Sequence, residues 1–319
     1  MRIKKITALL CAAALAMTCG CSDTNAPQED NNDKLSVVTT IFPAYDFARQ
    51  VFGDTAEVTL LLKPGTESHS YDPTAKDIVK IDNCDLFIYN GGESDTWVDG
   101  ILDAADGVNT LRMMDAVEAL EEEHIEGMQS EHDGEEHDEH DDTEEYDEHI
   151  WTSPKNAALI VDSVLKAAEE ISPENAAIYR QNAESYIDQI NALDEKFEQL
   201  FSGEKRYFVF GDRFPLLYFF KEYGLNYYAA FPGCGSEVEP SAQTISFLLG
   251  KLDDEDTIKT VFYIELSNHK LADTLAADKG LPTMEFHTCH NITADDFAAG
   301  ESYVSLMTRN YEALLTALS

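Results

Sequence analysis

Short β-rich runs and helical patterns alternate along nearly the whole of this chain, and that alternation restricts the fold more than any other feature. The runs lie at 35–40, 57–62 and 86–89 early in the sequence and at 207–210, 227–230, 261–264 and 283–286 late. Strands separated by helices form parallel sheets with crossover helices on their faces. Between the two sets, Ala183, Ile187, Ile190, Leu193, Phe197 and Leu200 recur every three or four residues, the period of an amphipathic helix. Ser172-Pro173-Glu174 is a start signal for that helix and Ser202-Gly203 a stop. The expected fold is α/β: two lobes, each a mainly parallel sheet with crossover helices, joined by one long rigid helix. The N-terminal lobe spans 35–171 and ends in a helix over 154–171, the linking helix spans 172–203, and the C-terminal lobe spans 204–319. Open sheets of this kind bind ligands beyond the carboxyl ends of their strands, so chemistry is expected in the cleft between the lobes.

The N-terminus is of a different character. Arg2, Lys4 and Lys5 precede an apolar run from Ile6 to Met17 and then Thr18-Cys19-Gly20-Cys21. The run is too short to cross a bilayer and reads as a cleavable signal over 1–20. With a Cys where the small-residue cleavage site belongs, it resembles a bacterial lipoprotein signal, in which that Cys is acylated and becomes the first mature residue. Gly20 is small and Thr18 bulkier, which favours Cys21 over Cys19. Residues 21–34 are polar and acidic, a flexible tether. Over the whole chain a hydrophobic content of 44% is that of a globular protein, and a formal charge of −39 leaves no basic face for nucleic acid. In an oxidising compartment Cys234 and Cys289, both in turn sequence, are the expected disulfide. Cys84, beside an apolar run, is expected as a small buried hydrophobe.

Residues 118–148 interrupt the alternation. His124, His132, His137 and His140 are spread among Asp and Glu there, with almost no apolar content beyond Ile125 and Met128. Such a segment cannot form a packed core and is expected as a loop. An acidic run is usually only a solvated surface, but imidazole with carboxylate is the ligand set of borderline divalent metals. The loop therefore reads as a weak, mobile metal trap.

Of the nine histidines, five remain outside that loop: His69, His149, His269, His287 and His290. His69 lies in a turn after the run ending at Leu62, His149 where the acidic loop gives way to a helix, and His287 and His290 after the last strand. A lone His is most often structural, but these connections all converge on the cleft in a two-lobed α/β chain. Val38-Thr39-Thr40-Ile41-Phe42-Pro43-Ala44-Tyr45-Asp46-Phe47, the Pro-Gly turn leading to His69-Ser70-Tyr71-Asp72-Pro73, and His149-Ile150-Trp151-Thr152-Ser153-Pro154 together resemble the zinc- and manganese-binding solute-binding proteins of metal ABC transporters. The resemblance covers essentially everything after the tether.

That resemblance implies one buried metal in the interlobe cleft, held by one residue from each of four loops. The first two ligands carry over as His69 and His149. The third falls on Asp212, where many zinc members carry His and manganese members a carboxylate. The fourth is placed at His287, with Glu285 and His290 as rivals. Three nitrogens and one carboxylate suit tetrahedral Zn²⁺, and four closed ligands describe a carrier rather than a catalyst. If Asp212 instead pairs with Arg213 or caps a helix, three protein ligands remain and a water or Glu285 completes the set. Glu265 is expected to orient a ligand from behind.

The implied function is extracytoplasmic capture of Zn²⁺ by a membrane-anchored lipoprotein, a monomer, that hands the ion to the permease and ATPase subunits of an importer. A manganese-binding protein and a metal-dependent surface adhesin are the alternatives. A zinc hydrolase is the weaker reading, because the sequence has neither a His-Glu-x-x-His helix nor a Gly-x-Ser-x-Gly elbow.

Overall fold

In a computed structural model the described residues are 34–66, 71–105, 107–129, 146–203, 205–233 and 239–319. The first sheet is built from β1 (Leu35–Thr39), β2 (Ala56–Leu60), β3 (Leu86–Tyr89) and β4 (Thr110–Arg112), connected through α1 (Phe42–Phe52), α2 (Ala75–Asp82) and α3 (Trp97–Leu102). Two helices follow, α4 (Pro154–Ile171) and α5 (Ala176–Phe201). The second sheet consists of β5 (Tyr207–Arg213), β6 (Asn226–Phe231), β7 (Val261–Ile264) and β8 (Thr283–Phe286), connected through α6 (Leu217–Glu222), α7 (Ala242–Asp254) and α8 (Lys270–Lys279); α9 (Ala294–Ala299) and α10 (Tyr303–Ala317) close the chain.

The strand orders are β2-β1-β3-β4 and β6-β5-β7-β8, with every pairing in these sheets parallel. The order reverses between the first and third strand of each sheet. Each lobe therefore opens a crevice at the carboxyl ends of that pair, β1 with β3 and β5 with β7, where side chains from two loops converge.

Side chains alternate across each sheet and so feed three cores. Val37 and Ile88 from the first sheet and Phe208, Phe210 and Phe262 from the second share one inner core with Phe47, Ile160, Ile190 and Phe197 of α1, α4 and α5. The alternate residues Val38 and Phe87 meet Ile81 and Val98 on the outer face of the first lobe. Val209 and Val261 meet Leu248 and Leu275 on the outer face of the second. Each large side chain buried in this way stabilises the fold by about 1.5–3 kcal/mol. Because the inner core belongs to both lobes, separating them would expose it. Residues Lys34–Ser319 accordingly form one compact unit.

Ser153 accepts the Asn156 N–H at 3.2 Å and Pro154 opens α4, a strong start that fixes the chain just after His149. Pro173–Asn175 forms a separate 3-10 turn, so the regular linking helix begins at Ala176 rather than at the Ser-Pro signal. β4 was not expected from the sequence: it has three residues with both ends exposed, too few to show alternation.

The acidic segment is also more ordered at its start than its composition predicts. Leu120 and Met128 pack on the inner core, and the Gln129 N–H donates to the Ala230 carbonyl at 2.9 Å on the edge strand β6. Its few apolar residues suffice because they lie against a surface already built. Residues 130–145, with His132, His137 and His140, lie outside the described residues. Among the described residues no helix is long and apolar enough to cross a membrane. The signal and Cys21 are likewise outside them.

Candidate metal centre

His149 is fully buried between the acidic segment and the turn that leads into α4. Asp147 fixes it twice, with Oδ1 accepting the His149 backbone N–H at 2.8 Å and lying 3.1 Å from Nδ1. A carboxylate only accepts, so the ring proton belongs on Nδ1 and the Nε2 lone pair is presented outward, as in a metal-bound histidine. Burial disfavours the imidazolium, but the charge of Asp147, with Glu148 and Glu122, outweighs it and raises the His149 pKa.

The crevice at β3 holds this segment from one side. Asn90 Nδ2 donates to the Glu148 carbonyl at 2.9 Å and the Ser94 N–H donates to Glu148 Oε2 at 3.1 Å. Gly92 is required here, since a Cβ would stand 2.1 Å from Glu148 Oε2. Asp95 closes the same corner, accepting the Asn90 and Gly91 N–H groups at 2.7 and 3.1 Å, and burial pushes its pKa up to about 6. From the second lobe, the Tyr218 hydroxyl donates to the Asp147 carbonyl at 2.8 Å.

The opposite wall is the turn after β8. It is stitched to the first lobe by hydrogen bonds that leave its position little freedom. Trp151 Nε1 donates to the Thr288 carbonyl at 2.9 Å, the Phe42 N–H to the His290 carbonyl at 3.4 Å, Asn291 Nδ2 to the Lys63 carbonyl at 3.0 Å, and the Gly65 N–H to the Ile292 carbonyl at 2.7 Å. Between His149 and this turn lies a cavity of about 30 Å³, lined also by Thr66, Arg213, Gly233, Glu265, Leu266, Thr288, His290 and Asn291. It has room for an ion or a water and little else. A Cβ on Gly233 would come 3.3 Å from His149 Cε1, so the small residue lets this loop close over the ring.

The expected ligands are distributed unevenly. His149 lines the cavity, and so does His290, named as a rival for the fourth position. His69 lies outside the described residues, three positions beyond Thr66 on the cavity wall. His287 is buried but is not part of the lining. Its Nδ1 accepts the Cys289 N–H at 2.9 Å, which in the neutral ring puts the proton on Nε2, and that buried Nε2 has no hydrogen-bond partner among the described residues. Glu285 is exposed on β8. The turn therefore directs His290 inward and His287 behind it, the reverse of the expected order.

Asp212 is not brought to the two histidines. It lines a separate crevice of about 290 Å³ against the start of α8, with Ser267, His269 and Lys270. Its Oδ1 accepts the Arg213 N–H at 2.8 Å and its Oδ2 the Ile264 N–H at 3.4 Å, and burial raises its pKa. The physical reason is a register irregularity in β5 between Phe210 and Arg213, which breaks the side-chain alternation just before the position. Among the described residues no three His, Cys, Asp or Glu side chains converge closely enough to hold a metal ion.

Glu265 lines the cavity, with both carboxylate oxygens engaged by Thr288. Cys289 is a free, fully buried thiol whose pKa burial pushes well above the usual range, which corrects the expected pairing with Cys234; Cys234 itself lies outside the described residues. Its Sγ lies 3.9 Å from the His287 carbonyl, inside its own turn. Cys84 is half-buried and free. Of the acidic loop's histidines only His124 is described; it is exposed, 4.0 Å from Glu122. Asp147, Trp151 and Thr288 were not singled out by the sequence. The Asp-x-His spacing at 147–149, inside a buried stretch, was the one signal that could have marked Asp147.

The family described as ZnuA, zinc-uptake complex component A, periplasmic, matches residues 37–317. The zinc-binding lipoprotein AdcA of Streptococcus pneumoniae serotype 4 is 32% identical over 312 residues, covering 98% of this chain and 60% of AdcA, so the chain spans less than two thirds of that relative. The high-affinity zinc uptake system protein ZnuA of Bacillus subtilis strain 168 is 32% identical over 319 residues, covering 99% of this chain and 98% of the relative. Among solved structures, the Zn(II)-bound ZnuA-like domain of Streptococcus pneumoniae AdcA aligns with a TM-score of 0.73 at 30% identity, covering 89% of this chain and 99% of that one.

Proposed function

The chain belongs to the ZnuA family of zinc-uptake components, and on that premise we propose that it is the extracytoplasmic solute-binding component of a zinc importer. It captures Zn²⁺ in the cavity between the lobes and delivers it to a membrane permease driven by an ATPase subunit. Acylation at Cys21 tethers it to the membrane, and the acidic segment bearing His124, His132, His137 and His140 gathers the ion at low affinity. The observation that carries the reading is the pair of buried imidazoles, His149 and His290, brought from opposite lobes to one small cavity.

His149, His290 and His69 supply three nitrogens, a set that suits zinc better than manganese. A water or Glu285 would complete the set. Three histidines and a water also serve catalytic zinc sites, but catalysis needs a general base and an open position for substrate, and the sequence carries neither a His-Glu-x-x-His helix nor a Gly-x-Ser-x-Gly elbow. The ligands bind as neutral imidazoles, so protons compete with zinc and affinity falls as pH drops.

Metal content by mass spectrometry, on protein lacking residues 1–20 and any affinity tag, tests the assignment. His149→Ala and His290→Ala should each lose the bound zinc, while Asp212→Ala and His287→Ala keep it. Zinc retained by both of the first two variants, or lost from Asp212→Ala alone, would place the site elsewhere.

A further inference from the structure

We infer that Glu265 and Thr288 are positioning residues for the metal, a buried relay that fixes His290 at the site. The inference rests on the proposed role of His290 as a ligand. Cys289, between Thr288 and His290, has φ +63°, a left-handed conformation that a residue bearing a Cβ adopts only at a steric cost. Such a turn persists where its surroundings hold it, and the holding groups can be named.

Glu265 is 6% exposed at the end of β7 and sends both oxygens to one residue. Oε2 accepts the Thr288 backbone N–H at 2.7 Å and Oε1 accepts its hydroxyl at 2.6 Å. With its proton committed to Glu265, the Thr288 oxygen has a lone pair free, and it accepts the His290 backbone N–H at 3.2 Å. The other side of the turn is held through His287, whose backbone N–H and carbonyl are both bonded by Asn310 at 2.7 Å. Glu265 is the one charged member, and hydrogen bonds to a carboxylate are roughly twice as strong as neutral ones.

The relay carries the rigidity of a sheet strand into a loop that must present an imidazole within a fraction of an ångström. Supporting groups of this kind commonly govern metal affinity almost as strongly as the ligands do. Thr288→Val preserves shape and removes the hydroxyl, Thr288→Ser restores it, and Glu265→Ala removes the anchor. Should Glu265→Ala fail to fold, Glu265→Gln, which still accepts the Thr288 N–H, replaces it with a smaller expected loss.

Two readouts are needed: zinc affinity by competition with a chromophoric chelator, and the visible spectrum of the cobalt(II)-loaded protein, which reports the geometry around the metal. Thr288→Val should weaken zinc by about 10–100-fold and alter the cobalt spectrum, with Thr288→Ser returning both towards wild type. An affinity for Thr288→Val within about twofold of wild type, or a loss that Thr288→Ser does not recover, overturns the relay. His290→Ala separates the two levels of failure. Wild-type affinity and spectrum in His290→Ala would remove the ligand assignment and the relay with it. A loss in His290→Ala beside an unaffected Thr288→Val would remove the relay alone.

Discussion

The rings of His149 and His290 meet nearly edge to face, with centroids 5.3 Å apart and planes inclined by 80°. Each also lies against Trp151, at 5.6 and 5.0 Å. The two histidines come from opposite lobes, so their meeting depends on how the lobes are held. Trp151 contributes directly, because its indole fills the space beside both rings while its Nε1 is bonded to the Thr288 carbonyl. One side chain thus sets the spacing of two imidazoles that are remote in the sequence.

Asp147 governs the first of them. Asp147→Asn retains the size of the side chain and removes the charge that fixes the proton on Nδ1 of His149. Zinc affinity at neutral pH should fall by about tenfold or more, the usual effect of losing a carboxylate behind a ligating histidine. The pH dependence should move as well. Asp147 helps raise the His149 pKa, so in the wild type protons compete with zinc up to a higher pH than at an ordinary imidazole. In Asp147→Asn the decline in affinity should begin at a lower pH. Chelator competition across the range in which imidazole titrates checks both, and an unchanged affinity and profile would mean that Asp147 only anchors backbone.

Much of this arrangement was legible in the sequence because its signals are local. The seven expected strands are present, and the Ser-Pro start of α4 fixes the place of His149. Two of the departures at the site each depend on a single backbone irregularity. His287 and His290 both follow β8, and only the left-handed turn at Cys289 decides which of them reaches the cavity. A non-glycine residue gives no sequence sign of that conformation. Asp212 was placed in a loop after Phe210, whereas β5 continues through Arg213 with a register break that redirects the carboxylate. The order in 118–129 was hidden because its apolar residues show no period of their own and pack only on neighbours distant in the chain.

Asp95 should leave a signature in the pH dependence of stability. Burial raises its pKa from the ordinary 3.8 to about 6. Between those values the folded protein binds the proton more tightly than the unfolded chain, so stability declines as pH rises from about 4 through about 6. The rise corresponds to about 3 kcal/mol. Asp95→Asn has no proton to lose and should show a flatter profile over that interval. Urea unfolding of the metal-free protein at a series of pH values measures the difference between the two curves, and parallel curves would refute this account of Asp95.

Removing zinc should change loops and leave the relation of the lobes intact. The inner core belongs to both lobes, and opening it would expose Phe197, Phe210 and Phe262, each fully buried or nearly so. Polar ties act in the same sense. Asp46 of α1 is buried and accepts the Tyr303 N–H at 2.9 Å and the Tyr186 hydroxyl, while Arg49 donates to the Gly300 and Glu301 carbonyls at 3.1 and 2.6 Å. A hydrogen bond to a charged group contributes about 1.5–3 kcal/mol, and wide opening would break several together with the stitches at 288–292. The segments placed to respond are those at Gly233 and Leu266, which line the cavity. X-ray scattering should therefore give the same radius of gyration with and without zinc, and amide chemical-shift changes should concentrate in those segments and around His149 and His290. Changes spread evenly over β6, α7 and α8 would instead show the second lobe moving as a body, and the shared core would then not be what holds the cleft.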